Sequence, residues 1–530
     1  MTSPAPQTTP HSYLVGGGIA TMAAAAFMIR DGHVRGSTIT IFEQLGRAGG
    51  SLDGAGNPKD GYSLRGGRML ESKYLCTYDL FSAIPTLDES RTVTDEILAW
   101  NETMETSSNA RLFGDNRPID APEFGLSEAH ILAIERLAIE PEAMLGRTSI
   151  ADQFDPAFFE TNFWFMWCTT FAFQPWHSAV EFKRYLVRFT HMVAGFNRLQ
   201  GIMRTVYNQY DSMVLPLRKW LEDRGVRFVL EAQVTDLGFG ADDRGKRVDS
   251  ITVARNGKAE TIPLGADDRV IVTVGSMTEG SHLGAHDRPA ALGTKRDGGA
   301  WTLWERIAQG RPEFGRPAVF SDHIDESKWL SFTTTFSNHD FFHLVRDLTG
   351  NAPGEGGLIT FAQSNWLASI VLPHQPHFIG QPDSVSVLWG YGLHMDRPGN
   401  FVAKPMADCT GAEIMTEIIG HLGQAALTEA LLAPANCIPC MMPFITSQFL
   451  RRGEGDRPAV MPEGWHDLAL VGQFCEMPDD VVFTVEYSVR AGQLAAYRLL
   501  GLDRDPPAVF KGQYDPRVLY RAFRALHDLG

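Results

Sequence analysis

The stretch Tyr13-Leu-Val-Gly16-Gly-Gly18-Ile-Ala-Thr21 decides the fold of this chain. Its first three residues form a short apolar run that predicts a buried strand, and the run from Ile19 to Arg30 has the alanine-rich and methionine-rich character of a helix. A second apolar run, Thr38 to Phe42, ends at Glu43. A strand, a glycine turn, a helix and a second strand that ends in an acid predict a βαβ unit, the start of a doubly wound parallel sheet.

The glycines of this unit indicate a nucleotide site. Gly16, Gly18 and Thr21 stand at the positions of the G-x-G-x-x-G pattern, with threonine in place of the last glycine. Gly16 permits a tight turn, Gly18 lets the backbone approach a pyrophosphate, and the helix N-terminus favours its negative charge. Glu43 follows at about the ~20 residues that bring an acid to the ribose hydroxyls, and its charge argues against NADP. A glycine turn without a nucleotide is the structural alternative.

Further glycine-rich segments favour FAD over NAD. Arg47-Ala-Gly-Gly-Ser51 follows Glu43, Arg65-Gly-Gly-Arg68 comes next, and a C-terminal apolar strand ends at Gly472. These pieces are typical of the surroundings of an FAD. The predicted cofactor-binding residues are Gly16, Gly18, Ala20, Thr21, Glu43, Gly50, Ser51, Gly67, Arg68, Val234, Gly275, Ser276, Gly472 and Phe483.

Composition limits the classes of partner. The formal net charge of −16 would repel a phosphate backbone, so we expect no nucleic acid. The six cysteines are too sparse for a disulfide framework, and the N-terminus lacks the charged start and apolar run of a signal peptide, which predicts a cytoplasmic protein. Cys437-x-x-Cys440 lacks the further ligands of a zinc site, so no metal is expected.

The length of 530 residues exceeds what one hydrophobic core usually supports, and several domains are expected. The most apolar stretch, Phe163 to Phe173, is shorter than the ~20 residues that span a bilayer and is assigned to a core or a pocket. The tail, Tyr514 to Leu529, has the apolar spacing of an amphipathic helix that packs on the body in preference to a membrane.

The predicted fold class is α/β, with a Rossmann-like domain, a mixed α+β substrate domain, a helical region and a C-terminal helical tail. The predicted division is a discontinuous FAD-binding domain of residues 12–75, 205–290 and 460–502, a mainly helical region of residues 76–204 with an aromatic pocket-lining segment, a substrate domain of residues 291–459 and a C-terminal helical segment of residues 503–530.

Segments along nearly the whole chain resemble the oleate hydratase family, also known as the myosin-cross-reactive antigen family. They are Gly49-Gly-Ser-Leu-Asp-Gly54, Arg65-Gly-Gly-Arg68, Asn162-Phe-Trp, Trp176-His-Ser-Ala, Arg184-Tyr185, Tyr207-Asn-Gln-Tyr-Asp-Ser212, Ser364-Asn-Trp366, Gln375-Pro-His-Phe378, Cys409-Thr-Gly-Ala-Glu413, Met442-Pro-Phe-Ile-Thr-Ser-Gln-Phe449 and Phe483-Thr-Val-Glu-Tyr-Ser488. The resemblance implies a hydro-lyase that adds water to the cis-9 double bond of oleic acid, giving 10-hydroxystearic acid. It also implies FAD bound without net substrate oxidation and a long apolar tunnel for the acyl chain.

Hydration of an isolated alkene needs an acid, a group that positions water and a dry pocket. The resemblance implies that Tyr185 is the proton donor. A phenol is a weak acid with a pKa near ~10 and needs a nearby positive charge, for which Arg184 and Arg188 are the candidates by sequence. Two alternatives stay open: Tyr185 is a packed core residue, or the donor is Tyr207 or Tyr210.

The loop after Arg68 departs from the family pattern. The family's water-activating glutamate follows Arg-Gly-Gly-Arg directly, whereas Met69 stands there in this chain and cannot accept a proton. Glu71 also matches a family acid, and it either takes over that role or is a structural carboxylate. Backbone groups of Gly66 and Gly67, with the flavin edge, are a further way to hold the water.

The substrate carboxylate is bound in the family by a threonine, an asparagine and a histidine. His377 matches the histidine, whereas Val371 and Pro373 stand at the other two positions, so head-group binding is expected to differ. A plain core or surface histidine is the alternative for His377, and a metal pair with His374 lacks a third ligand.

Two other functions share the nucleotide motifs. One is a redox flavoenzyme of the amine oxidase or carotenoid desaturase type, which would consume an electron acceptor. The other is a lipid-binding flavoprotein without catalysis, favoured only by the missing glutamate at Met69. The expected partner is a long-chain unsaturated fatty acid, with transient contact with a membrane surface, and the chain is a monomer or a homodimer.

Overall fold

The computed structural model describes residues 9–120 and 123–527. The strands are β1 (Ser12–Val15), β2 (Ile39–Phe42), β3 (Gly54–Asn57), β4 (Gly61–Leu64), β5 (Leu70–Glu71), β6 (Ala110–Gly114), β7 (Arg117–Asp120), β8 (Ile202–Met203), β9 (Arg227–Val229), β10 (Ala232–Asp242), β11 (Gly245–Arg255), β12 (Lys258–Pro263), β13 (Arg269–Thr273), β14 (His282–Leu283), β15 (Trp329–Phe336), β16 (Leu358–Phe361), β17 (Ala368–Val371), β18 (Ser386–Gly392), β19 (Ala435–Met442) and β20 (Leu468–Val471). The start of the chain examined for a signal peptide lies largely outside the described residues, as does Leu529.

The helices follow the same order along the chain. They are α1 (Ile19–Arg30), α2 (Leu75–Phe81), α3 (Val93–Thr103), α4 (Glu128–Ile139), α5 (Glu142–Leu145), α6 (Asn162–Phe171), α7 (Ala179–Arg188), α8 (Leu215–Glu222), α9 (Ala300–Ala308), α10 (Ala318–Ser321), α11 (Ile324–Ser327), α12 (Asp340–Thr349), α13 (Gly411–His421), α14 (Thr428–Leu432), α15 (Val485–Leu499) and α16 (Pro516–Leu526). Among the described helices, none is both long and apolar enough to cross a membrane.

The first sheet has five parallel strands in the order β20-β13-β1-β2-β9. The predicted βαβ unit is confirmed, and the sheet draws its strands from three distant parts of the chain. In its register Val15 lies opposite Phe42 and Val272, so the residues that follow β1, β2, β13 and β20 meet at one edge. Ligands bind at the carboxyl ends of such strands.

Helix α1 is buried from Ile19 to Met28 because it lies between the parallel sheet and helix α15. The close approach of α15 requires Gly492, since a Cβ atom there would lie 2.3 Å from the Ala20 carbonyl oxygen. Thr21 takes the place of the motif's last glycine, and its hydroxyl donates to the carbonyl oxygens of Gly16 and Gly18. These hydrogen bonds from Thr21 hold the glycine turn in place.

The second large sheet has eight strands in the order β14-β19-β15-β18-β17-β16-β6-β7. All its pairs are antiparallel except β6 with β16. The hairpin β6–β7 comes from the region predicted to be mainly helical, where its short strands gave no distinct alternation. The division of the chain into domains stays a prediction.

The aromatic stretch and the amphipathic tail are both helical, and a separate three-stranded antiparallel sheet is also present. The turn Asn256-Gly257 joins β11 to β12 in a three-stranded antiparallel sheet with β10. The aromatic stretch forms α6, whose Phe171 lies against Tyr185 with ring centroids 4.9 Å apart. The amphipathic tail is helix α16, which buries Val518 and Ala522 against the segment Thr190–Arg198 and leaves Tyr520 exposed.

Candidate active site

A cavity of about 220 Å³ lies at the carboxyl edge of the parallel sheet. Of the predicted cofactor residues, its lining includes Gly16, Gly18, Ala20, Glu43, Gly50, Ser51, Val234, Gly275, Ser276 and Gly472. Thr21 does not line this cavity because its side chain is buried beneath the glycine turn. Strand register explains why residues more than four hundred positions apart meet here.

The glycine turn leaves open space where a phosphate group would approach. Gly16 has φ +98°, a conformation that favours glycine, and a Cβ atom there would lie 2.9 Å from Thr273 Oγ1. A Cβ atom at Gly18 would meet nothing within 4 Å. Gly18 is also the N-cap residue of α1 and carries no side chain to cap it. The free amide groups at this helix end therefore face the cavity.

Glu43 directly follows β2 and contacts the glycine turn. Its Oε2 accepts a hydrogen bond from Gly17 N at 2.7 Å and its Oε1 accepts one from Leu45 N at 2.8 Å. Burial raises the pKa of Glu43, and these backbone donors oppose the rise. Each carboxylate oxygen retains a second lone pair, so both can still accept ribose hydroxyls.

Glu279 also lines this cavity, although it was not predicted from the sequence. It lies in the loop after β13, and Ala300 N donates to its Oε1 at 2.9 Å. Burial, with the neighbouring Glu43 charge, raises the pKa of Glu279 to about 7. Loops after parallel strands are the general place to look for such residues, but no motif marks this one.

A second cavity, of about 60 Å³, brings the predicted catalytic residues together. Its lining includes Gly67, Arg68, Met69, Glu71, Phe171, Tyr185, Phe189, Met192 and Phe483. The two cavities are neighbours, since Arg68 Nη2 donates to Ser51 O at 3.3 Å and Gln473 Nε2 donates to Thr484 O at 2.9 Å. Arg68, Gly67 and Phe483 thus belong to the second cavity and not to the first.

Tyr185 lies on α7 and is 1% exposed. Its hydroxyl donates to Val482 O at 2.5 Å. Burial raises the pKa of Tyr185 well above its ordinary value, the charges of Glu181 and Asp480 add to this rise, and Arg68 opposes it. The cation that favours the phenolate is therefore Arg68.

The arginines expected from sequence to assist Tyr185 are engaged elsewhere. Arg184 pairs with Glu142 and Glu476, each at 2.8 Å. Arg188 Nη1 lies 3.0 Å from Glu71 Oε1, and its Nε lies 3.6 Å from Asp480. They lie near Tyr185 in sequence, but the helix directs them toward acids.

Glu71 has contacts on both carboxylate oxygens. Besides Arg188, Lys73 N donates to Oε2 at 2.7 Å, and His191 Nε2 lies 3.3 Å from the same oxygen. Both carboxylate oxygens of Glu71 are therefore engaged by neighbouring residues of the described chain. Met69 also lines the second cavity and presents a thioether there.

The rival tyrosines lie outside the second cavity. The Tyr210 ring faces Gly49, where a Cβ atom would lie 3.2 Å from it, and the Arg47 guanidinium stands 5.2 Å from the ring centre. Tyr207 is held through its backbone, which accepts from Thr205 Oγ1 at 2.5 Å. Neither side chain lines the cavity that contains Met69 and Glu71.

His377 lines neither of these cavities. Its carbonyl oxygen accepts from Asn208 N at 2.9 Å and from Asn208 Nδ2 at 3.0 Å, and its N–H donates to Gln381 Oε1 at 2.8 Å. Burial, together with the charges of Arg204 and His374, lowers the pKa of His377 to about 3. The imidazole is neutral at physiological pH.

The cysteine pair lies in strand β19. Cys437 and Cys440 belong to separate hydrophobic clusters, as the alternation of side chains along a strand requires for residues three positions apart. Among the described residues, no three His, Cys, Asp or Glu side chains are placed to hold a metal ion.

Comparison with known proteins supports a common ancestry along the whole chain. It is 39% identical to the oleate hydratase of Streptococcus pyogenes serotype M49 (strain NZ131), over 98% of this chain and 90% of that protein. It is 34% identical to the linoleate hydratase of Lactiplantibacillus plantarum, over 97% of this chain and 98% of that protein.

A solved structure, cyclohexylamine oxidase from Brevibacterium oxydans IH-35A, has the same fold. Its TM-score is 0.53 at 13% identity, over 94% of this chain and 100% of that one. The likeness concerns the fold alone. Residues 9–497 match the MCRA family. The chain belongs to the MCRA family.

Proposed function

We propose that this protein is a hydro-lyase that adds water to the cis-9 double bond of oleic acid, giving 10-hydroxystearic acid without net redox change. Relatives named oleate hydratase and linoleate hydratase support the reaction class. The observation that carries the proposal is the second cavity, where a buried tyrosine, a buried arginine and apolar side chains meet beside the nucleotide cavity.

FAD is the proposed cofactor, and the first cavity fits it. The open space at Gly18 suits a pyrophosphate, and Glu43 suits the ribose hydroxyls. Arg68, which contacts Ser51 of this cavity, connects it with the cavity that contains Tyr185. When bound, FAD would supply a ring edge with hydrogen-bonding groups, and residues of the first cavity, including Gly18 and Glu43, would hold it.

Tyr185 is the proposed proton donor. Its O–H bond breaks as the proton forms a C–H bond at one alkene carbon, and water adds its oxygen to the other carbon. The water then gives up a proton, which restores the phenol, so the balance is alkene plus water to alcohol. The buried charge of Arg68 stabilises the transient phenolate.

Water needs a different holder from the family's glutamate, because Met69 stands in its place. We propose backbone groups of Gly66 and Gly67, in the loop that Glu71 fixes through Arg188. The aromatic walls, including Phe171 and Phe189, exclude other water from the cation-like centre.

The remaining proposals concern the cellular location of the protein, its contact with membranes and its domain organisation. All six cysteines are free and buried, which fits a reducing cytoplasm. The exposed Tyr520 and Phe523 of α16 make transient contact with a membrane surface, from which a fatty acid is taken up. The four-part division predicted from the sequence is the proposed domain organisation.

Turnover under anaerobic conditions tests the reaction class. Purified protein with FAD is given oleate without any electron acceptor, and the hydroxy acid is followed by mass spectrometry. A hydratase turns over many times under these conditions. A redox flavoenzyme would stop after the flavin is reduced once, and a lipid-binding flavoprotein would give no product.

A further inference from the structure

Arg204 has two buried guanidinium nitrogens that lack a hydrogen-bond partner among the described residues. Its Nε and Nη2 atoms are buried and form no hydrogen bond with any residue that the structure describes. Nη1 is not among the buried nitrogens, and the side chain as a whole is partly exposed. Burial lowers the pKa of Arg204 to about 10, so it remains charged at neutral pH.

Other buried arginines of the described chain have acceptors. The buried ion pairs include Arg188 with Glu71, Arg452 and Arg457 with Glu181, and Arg490 with Asp480 and Glu486. Arg111 has no acidic partner but donates to Thr170 Oγ1 at 2.9 Å and to Met166 O at 3.3 Å. An uncompensated buried charge is energetically costly. An anion that binds from outside the chain would therefore stabilise Arg204.

The backbone of Arg204 is held in place by Asn101, which accepts from Arg204 N at 2.9 Å and donates to Arg204 O at 2.7 Å. The His377 side chain lies near Arg204, because the Arg204 charge lowers the pKa of His377. A Cβ atom at Gly357 would come within 3.6 Å of Arg204 Nη2, so glycine leaves room beside the guanidinium.

We propose that Arg204 binds the carboxylate of the fatty acid, with the neutral His377 imidazole as a second donor. This inference rests on the proposed function for the identity of the anion. A guanidinium offers two parallel N–H donors to a carboxylate, which matches the two unpartnered nitrogens. It supplies the charge that Val371 and Pro373, at the head-group positions, cannot.

The placement of Arg204 connects the head group with the reacting carbons. Gln209, five positions later in the chain, donates from Nε2 to Arg68 O at 2.7 Å, and Arg68 N donates to Gln209 Oε1 at 3.3 Å. Arg68 lines the catalytic cavity with Tyr185. An acyl chain whose carboxylate is held at Arg204 can thus extend past Gln209 toward Tyr185.

Binding of stearate tests this assignment apart from catalysis, because a saturated acid cannot be hydrated. Thermal shift and titration of the FAD-loaded protein compare stearate with octadecan-1-ol, which lacks the carboxylate. We expect stearate to bind the wild type at least about 10-fold tighter than the alcohol, and Arg204→Gln to abolish this preference. Arg204→Lys should retain part of it, since it keeps the charge but not the planar fork.

Arg224→Gln is the matched control, because Arg224 also forms no ion pair with any described residue but lies exposed over Trp220. It should leave the preference unchanged. Equal stearate affinity in the wild type and Arg204→Gln overturns the assignment. A wild type that binds octadecan-1-ol more tightly than stearate overturns it as well. A wild type that binds stearate through Arg204 but hydrates no oleate would refute the proposed function and keep the carboxylate site.

Discussion

At the scale of single residues, the proposed role of Tyr185 as the proton donor can be tested by removing its hydroxyl. Tyr185→Phe removes only the hydroxyl, which donates to Val482 O, so the apolar packing with Phe171 is kept. We expect folding and FAD binding to survive while hydration falls by at least about 10²-fold, as for loss of a general acid. Initial rates with oleate measure this, and Tyr210→Phe, outside the cavity, is the matched control. Wild-type turnover by Tyr185→Phe would move the acid elsewhere.

The roles of Met69 and Glu71 in the loop after Arg68 can be separated by a pair of substitutions. Glu71→Gln weakens the hold on the buried Arg188, so we expect a loss of about 2 to 4 kcal/mol in the free energy of unfolding and a lower rate. Met69→Leu keeps an apolar side chain of similar size and should cost less than about 1.5 kcal/mol.

Urea denaturation and initial rates measure both variants. Met69→Glu tests the family arrangement, and we expect at most a modest gain in kcat because burial in an apolar cavity favours the protonated acid. The account of this loop is wrong if Met69→Leu destroys activity while Glu71→Gln leaves it intact.

At the scale of elements, the proposed cofactor site depends on the turn between β1 and α1. Gly18 has an extended backbone, and a Cβ atom there meets nothing within 4 Å, so Gly18→Ala should fold as the wild type does. The added methyl group should nevertheless occupy the space of the pyrophosphate and weaken FAD binding by at least about 10-fold, a loss of ~1.4 kcal/mol.

Flavin fluorescence titration measures the affinity, and the thermal midpoint without FAD measures the fold. Gly114→Ala is the control, because its Cβ would be in ordinary contact with Ile119, away from the site. An unchanged affinity in Gly18→Ala would argue against a pyrophosphate at this helix end.

The loop after β13 makes the stability of the FAD-free protein depend on pH. Folding raises the pKa of Glu279 from 4.5 to about 7, so the folded state favours the protonated carboxyl. This contribution is fully present below about pH 4.5 and is lost as the pH rises to about 7, a cost of about 3 kcal/mol. The neutral side chain of Glu279→Gln should not incur this cost.

Unfolding in urea at about pH 5 and about pH 8 measures the effect. The stability of Glu279→Gln relative to wild type should rise across this interval. Glu260→Gln, at an exposed position of β12, is the control and should follow the wild type. If the free energy of unfolding changes with pH equally in Glu279→Gln and the wild type, folding does not raise the pKa of Glu279.

At the scale of the whole molecule, local patterns predicted the first βαβ unit and its cofactor loop. Strand β1, helix α1 and strand β2 lie within a residue of their predicted bounds, because glycine turns and apolar runs are local signals. The hairpin β6–β7 was missed, since its place in the eight-stranded sheet depends on pairing with the distant strand β16.

Side-chain direction explains what else the sequence left open. Neighbours in sequence suggested Arg184 and Arg188 as the cations at Tyr185, whereas tertiary packing places Arg68 there. Arg204 belongs to no motif. Only the structure shows that two of its nitrogens are buried without a hydrogen-bond partner among the described residues. Such features arise from contacts between distant segments, which a single sequence does not encode in any local pattern.

In the proposed reaction, water supplies the new hydroxyl at the cavity of Tyr185. Incubation of the FAD-loaded protein with oleate in heavy-oxygen water, followed by mass spectrometry of the product, tests this source of the oxygen. We expect 10-hydroxystearic acid that carries the heavy oxygen, formed by the wild type and nearly abolished in Tyr185→Phe. A product without the label, or a labelled product made equally well by Tyr185→Phe, would contradict this mechanism.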